Sequence, residues 1–338
     1  MKTSDNEGSG GNFSVGYIVK RDDQTAFLKA IDLSRAMRAA AGDMLNELKK
    51  IIDTAAFEKA LGGLCGQRRM DRVVLALATG DIVLGPNLQD RLPYIIFELA
   101  DGDVRRRMRL VNDNVRASWI FRAVQNAAVG LTQLHSIKIA HQDMKPSNLL
   151  HFEKQSVFKV GDVGRAIQEG IAVPHAEYGV AGDPNYAPPE LLYGYFTPDW
   201  NTRRLGCDLF MFGSLIAFFF LGQGVTPMLM SRIDPPFLPR QAGGQWQGTY
   251  ADVVPVVRRA FSSVLEELEL VVPALFRKEV VASQQKPNQR LRCAGYAIAI
   301  LQIRANTRPN EAIYLPCSGN RRRPSLSTIT TLKRGTAP

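Results

Sequence analysis

Two mainly apolar, β-rich runs, FSVGYIVK (13–20) and AFLKAI (26–31), are separated by five polar residues, Arg21 to Thr25. Two such runs joined by a short polar stretch predict a β-hairpin. From Leu33 to Leu64 apolar residues recur at three-and-four spacing, which predicts amphipathic helix with a break at Gly42-Asp43. Strand-like runs follow at 71–80 (DRVVLALATG) and 92–100 (LPYIIFELA). Past Asp101-Gly102-Asp103 the period becomes helical, and 117–136 (ASWIFRAVQNAAVGLTQLHS) reads as a long amphipathic helix. Two short runs, Ser147 to Phe152 and Val157 to Val160, read as paired strands. Residues 164–198 are loop-rich, 209–222 (LFMFGSLIAFFFLG) are almost wholly apolar, and 222–257 are rich in Pro and Gly.

The pattern predicts an α+β chain with a small β-rich lobe over 1–100 and a larger helical lobe over 101–318. A polar, basic tail over 319–338 is expected to be disordered. No internal repeat is visible, and 293–317 fits the helical pattern poorly. The apolar run at 209–222 falls short of the roughly 20 residues a bilayer span needs. With Asp208 directly before it, it is expected to be a core helix, and no membrane partner is expected.

Composition changes this picture little. With 338 residues, 45% hydrophobic and 22% charged, the chain can bury a substantial core. The net charge of +10 is spread out, apart from Arg105-Arg106-Arg107 and the tail basic cluster. Such a surface suits phosphate ligands or acidic substrates, and nucleic acid is not expected because no motif supports it. Cys65, Cys207, Cys293 and Cys317 lie far apart, without C-x-x-C or a neighbouring His, as expected of idle thiols. The polar N-terminus lacks a signal-peptide core, and a cytoplasmic location is expected.

The candidate chemistry sits in IAHQDMKPSNLLHFEKQSVFKVGDVGRAI (139–167), where two carboxylates, an ammonium and a carboxamide cluster around predicted strands. Such a set could manage a metal-bound polyphosphate. His141-Gln142-Asp143-Met144-Lys145-Pro146-Ser147-Asn148 is similar to the H-R-D-x-K-x-x-N catalytic loop of protein kinases. Asp162-Val163-Gly164 is similar to D-F-G, and Pro188-Pro189-Glu190 to A-P-E. In this order and spacing the three motifs resemble the eukaryotic-type protein kinase family, Ser/Thr type, over about Gly8 to Arg290.

The resemblance implies a bilobal protein kinase-like fold, ATP as phosphoryl donor, and two Mg2+ ions, with Mn2+ able to replace them. It implies a protein substrate with a Ser or Thr acceptor, autophosphorylation included. Asp143 would take or orient the acceptor proton, Lys145 would reach the transferring phosphate, and Asn148 and Asp162 would hold the metal. Lys29, in AFLK, resembles the strand lysine that clamps the α- and β-phosphates. Its carboxylate partner is expected at Glu58, with Glu47 as the alternative. Residues 97–103 resemble the hinge, with Phe97 guarding the back pocket. The backbone of Glu98 and Ala100 would meet adenine, Asp103 the ribose, and Leu150 would lie under the base. His141 belongs to the supporting frame. Asp208 would tie down the catalytic loop. Glu190 would pair with Arg290 or its rival Arg308.

Four departures bear on function. The glycine-rich lid is reduced to Ser9, Gly11 and Ser14, with Gly8 and Gly10 available after a one-residue shift. Gln142 replaces the Arg that normally meets an activation-loop phosphate, so the site is expected not to await loop phosphorylation. Asp183 stands in place of a Thr, where it could compete for Lys145 or repel the charge of Asp143. These features keep open a pseudokinase acting as a nucleotide-binding or scaffolding module, and a small-molecule phosphotransferase of the same fold. Lastly, Gly16 and Phe27 stand where the family carries Val and Ala over the adenine, which suggests that the Phe27 ring fills space left by Gly16. Phe27→Ala is therefore expected to change nucleotide affinity and inhibitor profile by about tenfold, measured by titration with ATP analogues. Unchanged affinity and profile would refute the exchange.

Overall fold

A computed structural model describes residues 14–33, 44–86 and 90–282. Strands β1 (Ser14–Arg21) and β2 (Gln24–Ile31) form the expected hairpin, with Gly16 opposite Lys29 and Ile18 opposite Phe27. Asp22 takes the left-handed φ of +54° in the tight connection, a conformation Asp tolerates better than most residues. Helix α1 (Met44–Gln67) follows, then β3 (Ala76–Val83) and β4 (Arg91–Glu98). The sheet order is β1-β2-β4-β3, antiparallel throughout, with Phe27 opposite Phe97 and Lys29 opposite Ile95.

The strand expected at 71–80 starts five residues late. Asp71 and Arg72 form a turn, and Val73 bridges Val160 of the large lobe, with the Val74 N–H on the Val160 carbonyl at 2.9 Å. Val73 and Val74 are apolar because the large lobe buries them, not because they lie in the sheet.

In the large lobe β5 (Gly102–Asp103) leads into α2 (Val104–Arg107) and the long α3 (Asp113–His135). Helix α3 starts four residues before the apolar stripe, because the Asn112 side chain accepts the Asn114 N–H at 2.9 Å and caps it. Strand β6 (Ile139–Ala140) pairs with β9 (Ile167–Gln168), and β7 (Leu149–Phe152) pairs with β8 (Val157–Val160), as the two short runs predicted. Then come α4 (Pro189–Leu192), a π-helical turn (Asn201–Leu205), α5 (Gly206–Leu221), α6 (Val225–Met230) and α7 (Tyr250–Ala282).

The stretch 222–257 is less irregular than its Pro/Gly content predicts. Thr249 and Asp252 form a capping box, with the Thr249 N–H on the Asp252 carboxylate at 2.9 Å, and α7 starts there.

Two hydrophobic cores meet on α5. Phe212, Leu215 and Ile216 join Val124, Leu131, Phe158 and Val160 in one, while Phe210 and Ala217 join Leu229, Phe261 and Val264 in the other. A helix buried on opposite faces needs no polar stripe, which accounts for the apolar run at 209–222. Leu61 and Cys65 carry α1 into the first core, so the helix of the small lobe is anchored on the large one.

Gly130 lies where α3 meets the crossing at Arg72 and Val160. A Cβ there would come within 2.6 Å of the Arg72 carbonyl oxygen and 2.7 Å of Val160 Cγ2. Gly130→Ala is expected to destabilise the fold by about 1–3 kcal/mol in urea denaturation. An unchanged midpoint would show that the lobes can separate there at no cost.

Candidate active site

Lys29 projects from β2 into a buried carboxylate pair. Its Nζ lies 2.8 and 3.1 Å from the two Glu58 oxygens and 2.9 Å from Asp162 Oδ1. Glu58, the carboxylate expected to partner Lys29, is brought to it, while the side chain of the alternative, Glu47, lies outside those described. Burial alone would lower the Lys29 pKa, but the charges of Asp162 and Glu58 outweigh it and raise the value above the ordinary lysine range. Burial works against the Asp162 charge as well, yet Lys29 holds its pKa below the usual carboxylate value. Glu58 is shifted upward by burial, with Asp162 adding to the effect against Lys29. Lys29 and Asp162 thus form the firmly charged pair, and Glu58 orients the amine.

Asp208, fully buried at the start of α5, sets the catalytic loop. Its carboxylate accepts the backbone N–H groups of His141 and Gln142, both at 2.7 Å, and lies 2.8 Å from His135 Nε2. Burial would raise its pKa, but the His135 hydrogen bond and charge bring it below the ordinary value. Bending the loop around one carboxylate puts Gln142 at φ +62°. His141 Nδ1 accepts the Asp143 N–H at 3.3 Å, and its Nε2 lies 2.9 Å from the Gly161 carbonyl oxygen. That pairing calls for the neutral ring with the proton on Nε2, and ties the catalytic loop to the strand before Asp162.

Asp143 is buried and held on three sides. Oδ1 accepts the Asp183 N–H at 2.8 Å, while Oδ2 lies 3.0 Å from Asn148 Nδ2 and 3.2 Å from Lys145 Nζ. Gly182 makes this approach sterically feasible, since a Cβ there would lie 2.2 Å from the Gln142 carbonyl oxygen. Lys145 also lies 3.5 Å from Asp183 Oδ2, so the extra carboxylate does reach it.

The residues expected to hold a divalent ion fit one. Asn148 Nδ2 is engaged by the Asp143 carbonyl at 2.7 Å and by the Asp143 carboxylate. That fixes the amide, and Oδ1, which accepts the Ser147 hydroxyl at 3.4 Å, has a second lone pair to offer as a hard oxygen donor; Asp162, with one oxygen on Lys29, supplies another. Among the described residues no cluster of three or more His, Cys, Asp or Glu forms a metal site. Two donors are what a Mg2+ site needs when substrate phosphates and water complete the shell.

The expected nucleotide contacts are placed less evenly. The Glu98 N–H donates to the Leu75 carbonyl at 3.1 Å, so any backbone contact there falls to its carbonyl. Its side chain is held by Lys159 at 2.7 Å, a pair the sequence reading did not anticipate. Asp103 caps α2 by accepting the Arg106 N–H at 3.0 Å, a structural duty added to the ribose contact expected of it. Ala100 follows β4, and Leu150 lies on β7 opposite Lys159 and Asp103. Glu190 begins α4 half-buried. Gly11 with the rest of the lid before Ser14, the partners Arg290 and Arg308, and the tail lie outside the described residues.

A family model described as "Protein kinase domain" matches residues 85–231. Over those residues the chain is similar to protein kinase domains, in line with the motifs at 141–148 and 162–164. Among curated relatives, this chain is 26% identical over 216 residues to a probable serine/threonine-protein kinase of Bifidobacterium longum, covering 62% of this chain and 30% of that protein. It is 26% identical over 201 residues to cyclin-dependent kinase 11 of Dictyostelium discoideum, covering 58% of this chain and 50% of that one. A rat serine/threonine-protein kinase is 31% identical over 130 residues, covering 32% of this chain and 29% of that one. The chain therefore spans half or less of the length of each of these relatives.

Removing Asp208 would strand two backbone N–H groups and a histidine. Asp208→Ala is expected to cost on the order of 3 kcal/mol or more in chemical denaturation, and Asp208→Asn less. Because the folded pKa of Asp208 is depressed, its stabilisation is present above the unfolded value of about 3.9 and drains away below it. The gap between wild type and Asp208→Asn should therefore narrow as pH falls below about 3.9 and through the lower folded value. A gap that widened on acidification would contradict the charged role.

Proposed function

We propose that this chain is an active serine/threonine protein kinase transferring the γ-phosphate of ATP to protein hydroxyls. The observation that supports it most is the convergence of Lys29, Glu58 and Asp162 beside the Asp143–Asn148 pair, across two lobes. A folded scaffold has no chemical need for that whole set.

In this mechanism the acceptor hydroxyl lies against Asp143, which takes its proton as the new O–P bond forms and the bond from the γ-phosphorus to the bridging oxygen breaks. ADP leaves with the electron pair of that broken bond. Lys145 neutralises charge on the moving phosphoryl group, and Lys29, steadied by Glu58, holds the α- and β-phosphates. Asn148 and Asp162 would hold Mg2+, most simply two ions, with Mn2+ able to substitute; the metal supplies charge neutralisation on the phosphates. Glu98, Ala100, Asp103 and Leu150 would seat the nucleoside, with Gly11 of the lid above the phosphates. His141, Asp208 and Glu190 serve the frame. The partners are protein substrates, with autophosphorylation included and no role assigned to membrane or nucleic acid. A cytoplasmic, reducing setting suits the buried thiols of Cys65 and Cys207.

Incubation with labelled ATP and Mg2+, alone and with a generic protein substrate, tests the reading. Asp143→Asn and Asp162→Ala are each expected to lower transfer by roughly 10²–10⁴-fold, the range for loss of a positioned acid–base or charge-stabilising group. Wild type that transfers nothing, or an Asp143→Asn variant of normal rate, would favour the scaffolding reading.

A further inference from the structure

The activation segment of this chain is short of anything to phosphorylate. Between Gly164 and Gly182 there is no Ser and no Thr, and Tyr178 carries the sole hydroxyl. Gln142, where the family carries a cation to meet a phosphate, is neutral. The segment is nevertheless anchored from both lobes.

On one side, the helical turn Pro174–Glu177 lies against α1. His175 is 1% exposed, its Nε2 lies 2.8 Å from the Ala166 carbonyl oxygen, and its ring meets Phe57 edge-on at 6.3 Å. Phe57 immediately precedes Glu58. Val173 and Ala181 are buried in the same small cluster, against which Phe57 and Ala176 pack.

On the other side stands Arg204, only 5% exposed, in the π-helical turn one turn ahead of Asp208. Its Nη2 donates to the Ala176 carbonyl at 2.6 Å and its Nη1 to Gln142 Oε1 at 3.1 Å. Gln142 Nε2 returns a bond to the Arg204 carbonyl at 2.8 Å and another to Asp208 at 3.0 Å. Burial, with Arg203 alongside, pushes the guanidinium pKa down to about 10, which leaves it charged at neutral pH. A planar cation is thus spent, in low dielectric, on two neutral acceptors that join the activation segment to the catalytic loop.

We propose that Arg204 is a positioning residue for phosphoryl transfer: it holds the 173–178 segment against α1, and thereby Glu58 against Lys29, with no phosphate on the segment. The cation that usually reaches out from the catalytic loop is here supplied from the helix behind it, with Gln142 as its counterpart. The inference deepens the kinase reading above and rests on it.

The test uses the full chain. Initial rates are measured for wild type, phosphatase-treated wild type, Tyr178→Phe, Arg204→Gln and Arg204→Lys, beside melting curves and amide exchange over 173–178. Phosphatase treatment and Tyr178→Phe should each leave the rate within about twofold. Arg204→Gln should lower kcat roughly tenfold or more and speed exchange at 173–178 comparably, with a smaller change in KM for ATP. Arg204→Lys, which keeps the charge but not the fork, should fall between the two. The proposal is overturned if either Arg204 variant keeps wild-type kcat and wild-type exchange. It is also overturned if dephosphorylation or Tyr178→Phe costs about tenfold. Should Arg204→Gln fail to fold, the Lys variant and the two phosphate arms decide. Wild type without transfer would refute the kinase reading, and the exchange arm would still judge Arg204.

Discussion

Taking a carboxylate fully out of water costs several kcal/mol unless hydrogen bonds replace the lost hydration. Asp208 satisfies that requirement with the two consecutive backbone N–H groups of His141 and Gln142, a histidine from α3 and the Gln142 amide. Two successive N–H groups can point at one carboxylate only if the chain between them is sharply bent, which is why Gln142 adopts a left-handed φ. The bend presents Asp143 to the cleft, and Asn148 closes back on it five residues later. One desolvated charge therefore fixes a loop that has little regular secondary structure of its own.

The second constraint is the ammonium of Lys29. It belongs to the small sheet, whereas Asp162 belongs to the large lobe and Glu58 to the helix between them. Bonds from one nitrogen to both carboxylates restrict how the lobes can sit, and Gly164 leaves room for it, since a Cβ there would come 3.1 Å from Glu58 Oε2. Helix α1 is restrained at several points: by Leu61 and Cys65 in the core, by Phe57 on His175, and by Glu58 on Lys29.

What the sequence made legible follows from how local each signal was. The β1–β2 hairpin, the β7–β8 pair and α3 rest on contiguous periodicity, and they formed close to where the pattern placed them. The run 71–80 misled because Val73 and Val74 are buried by a non-local contact that periodicity cannot see. Thr249 and Asp252 were a readable capping box, masked by the Pro and Gly around them. The cluster from His141 to Asp162 was legible because its spacing is a chain property. Arg204 was not, because nothing in a string of residues says that a guanidinium 62 positions downstream will find Gln142. The available signal was indirect: a missing charge at 142, and an unexplained Arg one helical turn before Asp208.

The carboxylate of Asp183 is held mainly by its own turn. As a substitution for Thr it looks like a threat to Lys145, yet most of what its carboxylate does is local. Oδ1 accepts both the backbone N–H and the side-chain amide of Asn185, at 3.0 and 3.1 Å, and the Asp183 carbonyl accepts the Tyr186 N–H at 3.0 Å. That is the behaviour of an Asp opening a turn ahead of Pro184. Its other oxygen is 3.5 Å from Lys145 in a partly solvated position, against 3.2 Å for Asp143. A long, water-screened contact of this kind is worth at most about 1 kcal/mol, too little to keep Lys145 from the far greater charge of a polyphosphate. The departure at 183 therefore shapes the turn ahead of Pro184 and leaves Asp143, not Asp183, as the nearer carboxylate to Lys145.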